Sequence, residues 1–167
     1  MNALKRVFVN KVVGCFFVPK KARASLLRFS GIGLAKNVRI MPNFFFDSDD
    51  IEIGENSFIN RNFQQHDGGR NENIHIGSNV MIAMNVTLAS SSHEVSKNSS
   101  RRAGPGYSKP ITVEDGVWIG AGVIILPGIT VGKGSIIAAG SIVTKDIEKN
   151  CLYAGVPARK IKTLEAV

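Results

Sequence analysis

Cysteine is scarce in this chain: Cys15 and Cys151 are its only two. So small and scattered a set gives no disulfide framework, and a reducing compartment is expected, with cytoplasm as the default. Acid is missing from the first 46 residues, which hold nine Lys/Arg and no Asp/Glu, whereas residues 47–167 hold twelve Lys/Arg against thirteen Asp/Glu. The formal charge of +8 therefore belongs to an N-terminal arm. No aromatic-and-basic stripe, zinc finger or RNP-like motif accompanies it, which argues against a bound nucleic acid. Acidic membrane surfaces or anionic substrates suit such an arm better. No apolar run approaches the length that spans a bilayer, so membrane contact would be peripheral. "VVGC" at 12–15 has the form of a lipoprotein cleavage site, but Asn10 and Lys11 leave too short an apolar stretch before it.

What is abundant is a six-residue rhythm. Aliphatic residues recur at Ile53 and Ile59; at Ile76, Ile82 and Leu88; and at Val113, Ile119, Ile125, Val131, Ile137 and Val143. The next position is usually small, as at Gly54, Gly77, Ala83, Gly120 and Gly132. A period of six fits neither a 3.6-residue helix nor simple strand alternation. It fits a solenoid of short strands in which each hexad is one flat side, the aliphatic residue points inward and the small residue sits at a corner. Three sides make one coil, and coils stack at about 4.8 Å. Phe63, Glu114, Asn60 and Leu126 match imperfectly.

At 167 residues the chain suits one domain. Residues 1–30 read as a basic, amphipathic helical cap, 31–147 as the solenoid and 148–167 as a closing tail with a short helix. In the cap, Leu4, Val7, Phe8, Val12, Cys15 and Phe16 recur at helical spacing, and Pro19 ends the helix. A second basic stretch combines Lys20, Lys21, Arg23 and Arg28 with Leu26, Leu27 and Phe29. This arm reads as a cover for the open end of the column, with adsorption to a membrane as an alternative that does not exclude it. Leu34, Val38, Ile40, Phe44 and Phe46 form a ragged first coil. Two interruptions break the phase, at 64–73 and at about 94–112. Excursions from a regular column are where function concentrates, because the scaffold needs none of them.

The hexads, with "GVWIGAGVIILPGITVGKGSIIAAGSIVTKDI" (116–147) and "YAGVPARKIK" (153–162), resemble the hexapeptide-repeat acyltransferases, in particular the sugar and xenobiotic O-acetyltransferases of the maltose/galactoside and surface-polysaccharide types. The resemblance implies an all-β, left-handed parallel β-helix with short terminal helices and an extruded loop. It also implies a homotrimer with acetyl-CoA bound in the cleft between neighbouring columns, and no metal. The catalytic histidine of such enzymes lies just before the extruded loop, where His93 stands.

The chemistry needs little more. A thioester is already an activated acyl donor, so what a sugar hydroxyl lacks is a base; imidazole, with an ordinary pKa of about 6.5, takes the proton and returns it to the departing thiolate. A backbone N–H near Gly120 or Ala121 would meet the oxyanion, since Ala121 replaces a serine common in sugar-acetylating relatives. By the same resemblance Asn60 and Asp67, with Asn62 as an alternative, and Trp118 would contact the acceptor. Gly120, Ala121, Ala139, Thr144, Lys145 and Arg159 would line the CoA site, where cations suit its phosphates. Glu94 could orient His93, and Arg101 or Arg102 could meet an acidic substrate. His75 reads as a surface or pocket-lining residue and His66 as a weak acceptor candidate.

The gamma-class carbonic anhydrases share this fold but need three zinc-binding histidines, two of them five residues apart; His66, His75 and His93 are nine and eighteen apart, so that set is missing. A non-catalytic solenoid would need neither a histidine beside the loop nor "VTKD" and "GVPAR". Antibiotic acetylation remains an alternative, while serine acetylation is disfavoured for want of a large helical N-terminal domain. The expected function is acetyl-CoA-dependent O-acetylation of a sugar in bacterial surface polysaccharide synthesis, in the cytoplasm, with the basic arm suited to the inner face of the membrane.

Overall fold

The computed structural model describes residues 1–69 and 73–165. From Gly33 onward the backbone repeats one short move: two or three extended residues, then a turn through left-handed φ. That turn position is Asn at 37, 43, 56, 62, 79 and 85, then Gly at 116, 122, 128, 134 and 140, with φ between 57° and 78°. These two residue types enter the left-handed region readily, whereas others pay roughly 1–2 kcal/mol. The asparagines also bond from coil to coil: Asn37 Nδ2 donates to Asn56 Oδ1 at 3.1 Å and Asn62 Nδ2 to Asn85 Oδ1 at 2.9 Å.

Successive strands fall in rotation into three parallel sheets. The first stacks Gly33–Leu34, Ile51–Ile53, Ile74–Ile76, Ile111–Val113 and Thr130–Val131. The second stacks Arg39–Ile40, Phe58–Ile59, Met81–Ile82, Trp118–Ile119, Ile136–Ile137 and Cys151–Ala154. The third stacks Phe45–Phe46, Gln64–His66, Thr87–Ala89, Ile124–Ile125 and Ile142–Val143. The register is direct, for example Trp118 beside Met81 and Ile136, so like positions pile into columns. The eleven hexad aliphatics are each at most 2% exposed, and removing one would open a cavity costing about 2–5 kcal/mol. Phe63 fills the same interior, edge-on to Phe46 at 6.0 Å. At the corners the coils touch closely: a Cβ on Gly54 would lie 2.5 Å from the Gly77 carbonyl carbon, and one on Gly120 2.5 Å from the Ala139 nitrogen.

The cap is helical but faces otherwise than its spacing predicts. Helix α1 (Ala3–Val7) runs into a π-helical segment (Phe8–Val13), and α2 (Lys20–Phe29) follows. Val9, Val13 and Leu27 pack onto the first coil, fully buried, while Leu4, Val7, Val12 and Phe16 are exposed. The cap is pinned by polar contacts as well. Asn10 exchanges hydrogen bonds with the Phe46 backbone, 2.8 Å each way. Buried Arg23 donates to the carbonyls of Val13, Cys15, Val18 and Ile40. Arg6 pairs with Asp47 at 2.7 Å and Lys5 with Asp49.

Three expectations need correction. The closing helix is replaced by strand: Cys151–Ala154 extends the second sheet, and Arg159–Thr163 pairs antiparallel with it, because the last coil leaves a bare sheet edge whose backbone groups need partners. Residues 166–167 lie outside the described residues. The first interruption begins at Asp67 rather than residue 64, since Gln64–His66 is a column strand. Part of it, Arg70–Glu72, is likewise outside the described residues. The second is an antiparallel hairpin of Ser91–Val95 and Ala103–Ser108, not an irregular loop over 94–112. Ile111–Val113 is already back in the first sheet.

Candidate functional site

Both interruptions leave the column at the corner between the third and first sheets. The hairpin stands on that corner as an arm, anchored where Lys109 N–H donates to Ser90 O and where Ser108 Oγ donates to Asp67 O. Strand pairing sets Ser91 opposite Ser108 and His93 opposite Gly106, then slips at Glu94 before Val95 meets Ala103. Such a bulge turns neighbouring side chains away from simple alternation. His93 therefore sits within the arm, exposed, with Nδ1 2.9 Å from the Gly104 carbonyl oxygen. A carbonyl only accepts, so Nδ1 carries the proton, and in the neutral ring the lone pair is left on Nε2. That is the arrangement of a general base. The orienting partner is thus a backbone carbonyl; Glu94 makes no bond to the ring among the described residues.

At the tip, Arg102 donates to the carbonyls of Ser96 and Lys97 and braces the turn instead of reaching outward. Arg101 lines a shallow hollow with Ser96, Asn98 and Gly104.

The remaining candidates occupy other edges of the column. Trp118 projects from the second sheet and is 54% exposed, beside Met81 at 46%; Met84, 44% exposed, lies at the following corner. This apolar ridge was missed in sequence reading except for its tryptophan. Gly120 and Ala121 follow Trp118 at the corner between the second and third sheets. Ala139 lies there one coil on, where Gly140 N–H donates to Ala121 O. The Gly120 N–H is committed to Ile137 O at 2.8 Å, so it is not a free oxyanion donor. The Ala121 N–H has no acceptor among the described residues. Asn60, half-buried, is at this same corner two coils away, its Oδ1 accepting from Arg61 N–H. Asn62 is one of the turn asparagines, occupied in the coil-to-coil bond to Asn85.

Asp67, expected to contact an acceptor, is enclosed at the foot of the arm. Its side chain is buried, with Oδ1 accepting from Gly69 N–H at 2.7 Å and Oδ2 meeting no donor among the described residues. Thr144 and Lys145 are exposed at the corner that carries the arm, two coils beyond it, and Arg159 is exposed on the terminal strand. The histidines diverge: His66 stacks on Phe45 at 5.1 Å, and exposed His75 stands 3.6 Å from Glu52 on the first sheet.

A single column thus separates two groups of candidate residues. The arm with His93 leaves one corner, while Trp118, Gly120, Ala121 and Ala139 form a ridge along another.

Comparison with known proteins identifies the family. Residues 110–145 match the family model described as bacterial transferase hexapeptide (six repeats). The galactoside O-acetyltransferase of Escherichia coli K12 is 42% identical over 143 residues, 85% of this chain and 68% of that protein. Galactoside acetyltransferase in complex with coenzyme A superposes with a TM-score of 0.83 at 36% identity, covering 97% of this chain and 78% of the other. The Vibrio cholerae hexapeptide-repeat acetyltransferase complexed with acetyl coenzyme A gives 0.80 at 31% identity, covering 98% and 85%. Stacked hexads, left-handed turn residues and likeness over nearly the whole chain converge: the chain is a left-handed parallel β-helix and belongs to the hexapeptide-repeat acetyltransferases.

Proposed function

We propose that this protein transfers an acetyl group from acetyl-CoA to a sugar hydroxyl, with His93 as general base, in the building of a bacterial surface polysaccharide. The observation that carries the reading is the bond from His93 Nδ1 to the Gly104 carbonyl, which leaves Nε2 as the basic atom on an arm with nothing structural to do. The acceptor O–H gives its proton to Nε2 as the oxygen attacks the thioester carbon. The tetrahedral oxyanion is met by the Ala121 N–H. Collapse breaks the C–S bond, and the imidazolium returns its proton to the CoA sulfur.

Because His93 and the Trp118 ridge sit on different edges of one column, the working site takes the arm of one subunit and the ridge of the next, in a homotrimer. Burial of Trp118, Met81 and Met84 in that contact is consistent with their exposure on the isolated chain. CoA lies along the column: Ala139 and Ala121 give it a smooth corner, and Thr144, Lys145 and Arg159 hold its phosphates. Asn60 and Trp118 contact the acceptor, while Asp67 is assigned no contact with it.

The test is release of free thiol from acetyl-CoA in the presence of nucleotide sugars, oligosaccharides and streptogramin or chloramphenicol, with mass spectrometry of the acceptors. Gain of one acetyl unit on a saccharide is expected. Acetylation of the antibiotics alone would move the protein to xenobiotic chemistry, and no thiol release with any acceptor would remove the reading.

A further inference from the structure

The cap turns to solvent an apolar face that its own packing uses only in part: Phe8 leans on the core and the Arg61 guanidinium lies over the Phe16 ring at 5.6 Å. Leu4 is 81% exposed, Phe17 88% and Phe29 89%, and Val7, Val12 and Phe16 are exposed with them. Leu4, Phe8 and Phe29 line one open groove between the helices. At the other end Phe16 and Phe17 lie edge to face at 6.3 Å. Fraying does not account for this, because the opposite face is held by Val9, Val13, Leu27, Asn10 and Arg23.

Charge identifies what covers it. The first 46 residues contain no acid. The nearest acids, Asp47 and Asp49, are taken by Arg6 and Lys5. Lys11, Lys20 and Lys21, which flank the Phe16–Phe17 pair in sequence, have no ion-pair partner among the described residues, and Arg28 is held only by the Leu34 and Ala35 carbonyls. A second copy laid on this face would set these cations against their equivalents. An occupant must bring negative charge at the rim and apolar depth at the centre.

We infer that this face docks on an anionic lipid bilayer, with Leu4, Phe16, Phe17 and Phe29 in the acyl boundary and Lys11, Lys20 and Lys21 among the headgroups. No helix of the described residues is long and apolar enough to cross the membrane, so the attachment is interfacial. It stands independently of the acyltransferase reading. Its consequence is that the column is held end-on to the lipid surface, with the arm's corner facing the adjacent solution.

The test is flotation of the full chain with vesicles of phosphatidylcholine alone or mixed with phosphatidylglycerol. Recovery with the anionic vesicles alone, lost at high salt, is expected. Joint Phe16→Ser and Phe17→Ser, and separately joint Lys11→Gln, Lys20→Gln and Lys21→Gln, should each lower partitioning about tenfold or more, with the thermal midpoint and the oligomeric state kept. Absence of binding, or equal recovery with neutral vesicles, overturns the inference. So does a change of oligomeric state in the phenylalanine variant with vesicle binding intact, because the face would then be covered by another copy.

Discussion

His93 on one strand of the arm bonds to Gly104 on the other, two residues from its register partner Gly106: the ring Nδ1–H donates to the Gly104 carbonyl at 2.9 Å. The bond fixes which nitrogen is basic and which way the ring is turned. Replacing His93 with Ala should lower kcat by roughly 10²- to 10⁴-fold while leaving the KM for acetyl-CoA near its starting value. The side chain is exposed, so the melting temperature should hardly move. Steady-state kinetics with a thiol probe measures this, and an unchanged rate would remove His93 from the chemistry.

Trp118 and Met81 stand side by side on the second sheet and form the centre of the ridge assigned to the subunit contact. Trp118→Glu places a charge there that burial would leave unpaired. Sedimentation velocity should show a trimer for the parent protein and smaller species for the variant, with activity falling in step. A variant that stays trimeric and active would place the contact elsewhere.

The column was legible because each inward position demands an apolar side chain every sixth residue, and from Ile53 to Val143 those positions proved buried. The turn positions were equally legible though unused: Asn or Gly recurs every six residues, from Asn56 to Gly140. The cap was not. Its sequence carries two apolar stripes, Leu4–Val7–Val12–Phe16 and Val9–Val13, and periodicity does not say which one packs. The longer stripe faces out, because polar fixtures remote in sequence, Asn10 on Phe46 and Lys5 on Asp49, set the rotation. The arm was misjudged by three residues because "SSHEV" pairs only with residues beyond the tip. The spread of the candidate residues over two corners follows from coil geometry, and motif spacing along the chain does not express it.

Gly120 and Asn79 test the coil itself from opposite directions. A Cβ on Gly120 would sit 2.5 Å from the Ala139 nitrogen, a backbone atom that moves only if the coils separate. Gly120→Ala should cost about 1–3 kcal/mol and also disturb the adjoining Ala121. Asn79, at φ 57°, should accept Gly with a change of a few tenths of a kcal/mol, whereas Val there should cost about 1–3 kcal/mol in backbone strain. Urea midpoints of the three variants give the comparison.

Asp49 makes the cap's docking depend on pH. Hydrogen bonds from the Lys5 ammonium and then from the N-terminal ammonium hold its carboxyl at about 2, below the ordinary aspartate value of about 3.9. A lowered pKa in the folded protein means that the contribution is complete above about pH 4 and disappears as pH falls toward about 2. Asp49→Asn should therefore destabilise at pH 7 by about 1 kcal/mol, discounted for partial exposure. The gap between parent and variant should close through that acid window in urea titrations. A gap constant from pH 7 to pH 2 would show that the ion pair contributes nothing.

Arg23 carries the heaviest single load in the cap. The residue is 1% exposed, it has no carboxylate partner among the described residues, and burial lowers its pKa from the ordinary arginine value. One planar fork reaches four carbonyls, three where the π-helical segment ends and one across on the first coil: Val13 at 3.2 Å, Cys15 (which also accepts from Val18 N–H) at 3.0 Å, Val18 at 2.7 Å and Ile40 at 3.0 Å. Arg23→Met removes the buried charge but strands those acceptors, so a loss of about 2–4 kcal/mol is expected. Arg23→Lys keeps the charge but lacks the fork's five-donor reach, and should recover only a small part of the loss. Because the bonds join cap to column, amide exchange should accelerate in α2 and the π-helical segment and stay slow at Ile119 and Ile137. Uniform acceleration along the whole column would mean instead that the cap nucleates the coils, and that they do not stand without it.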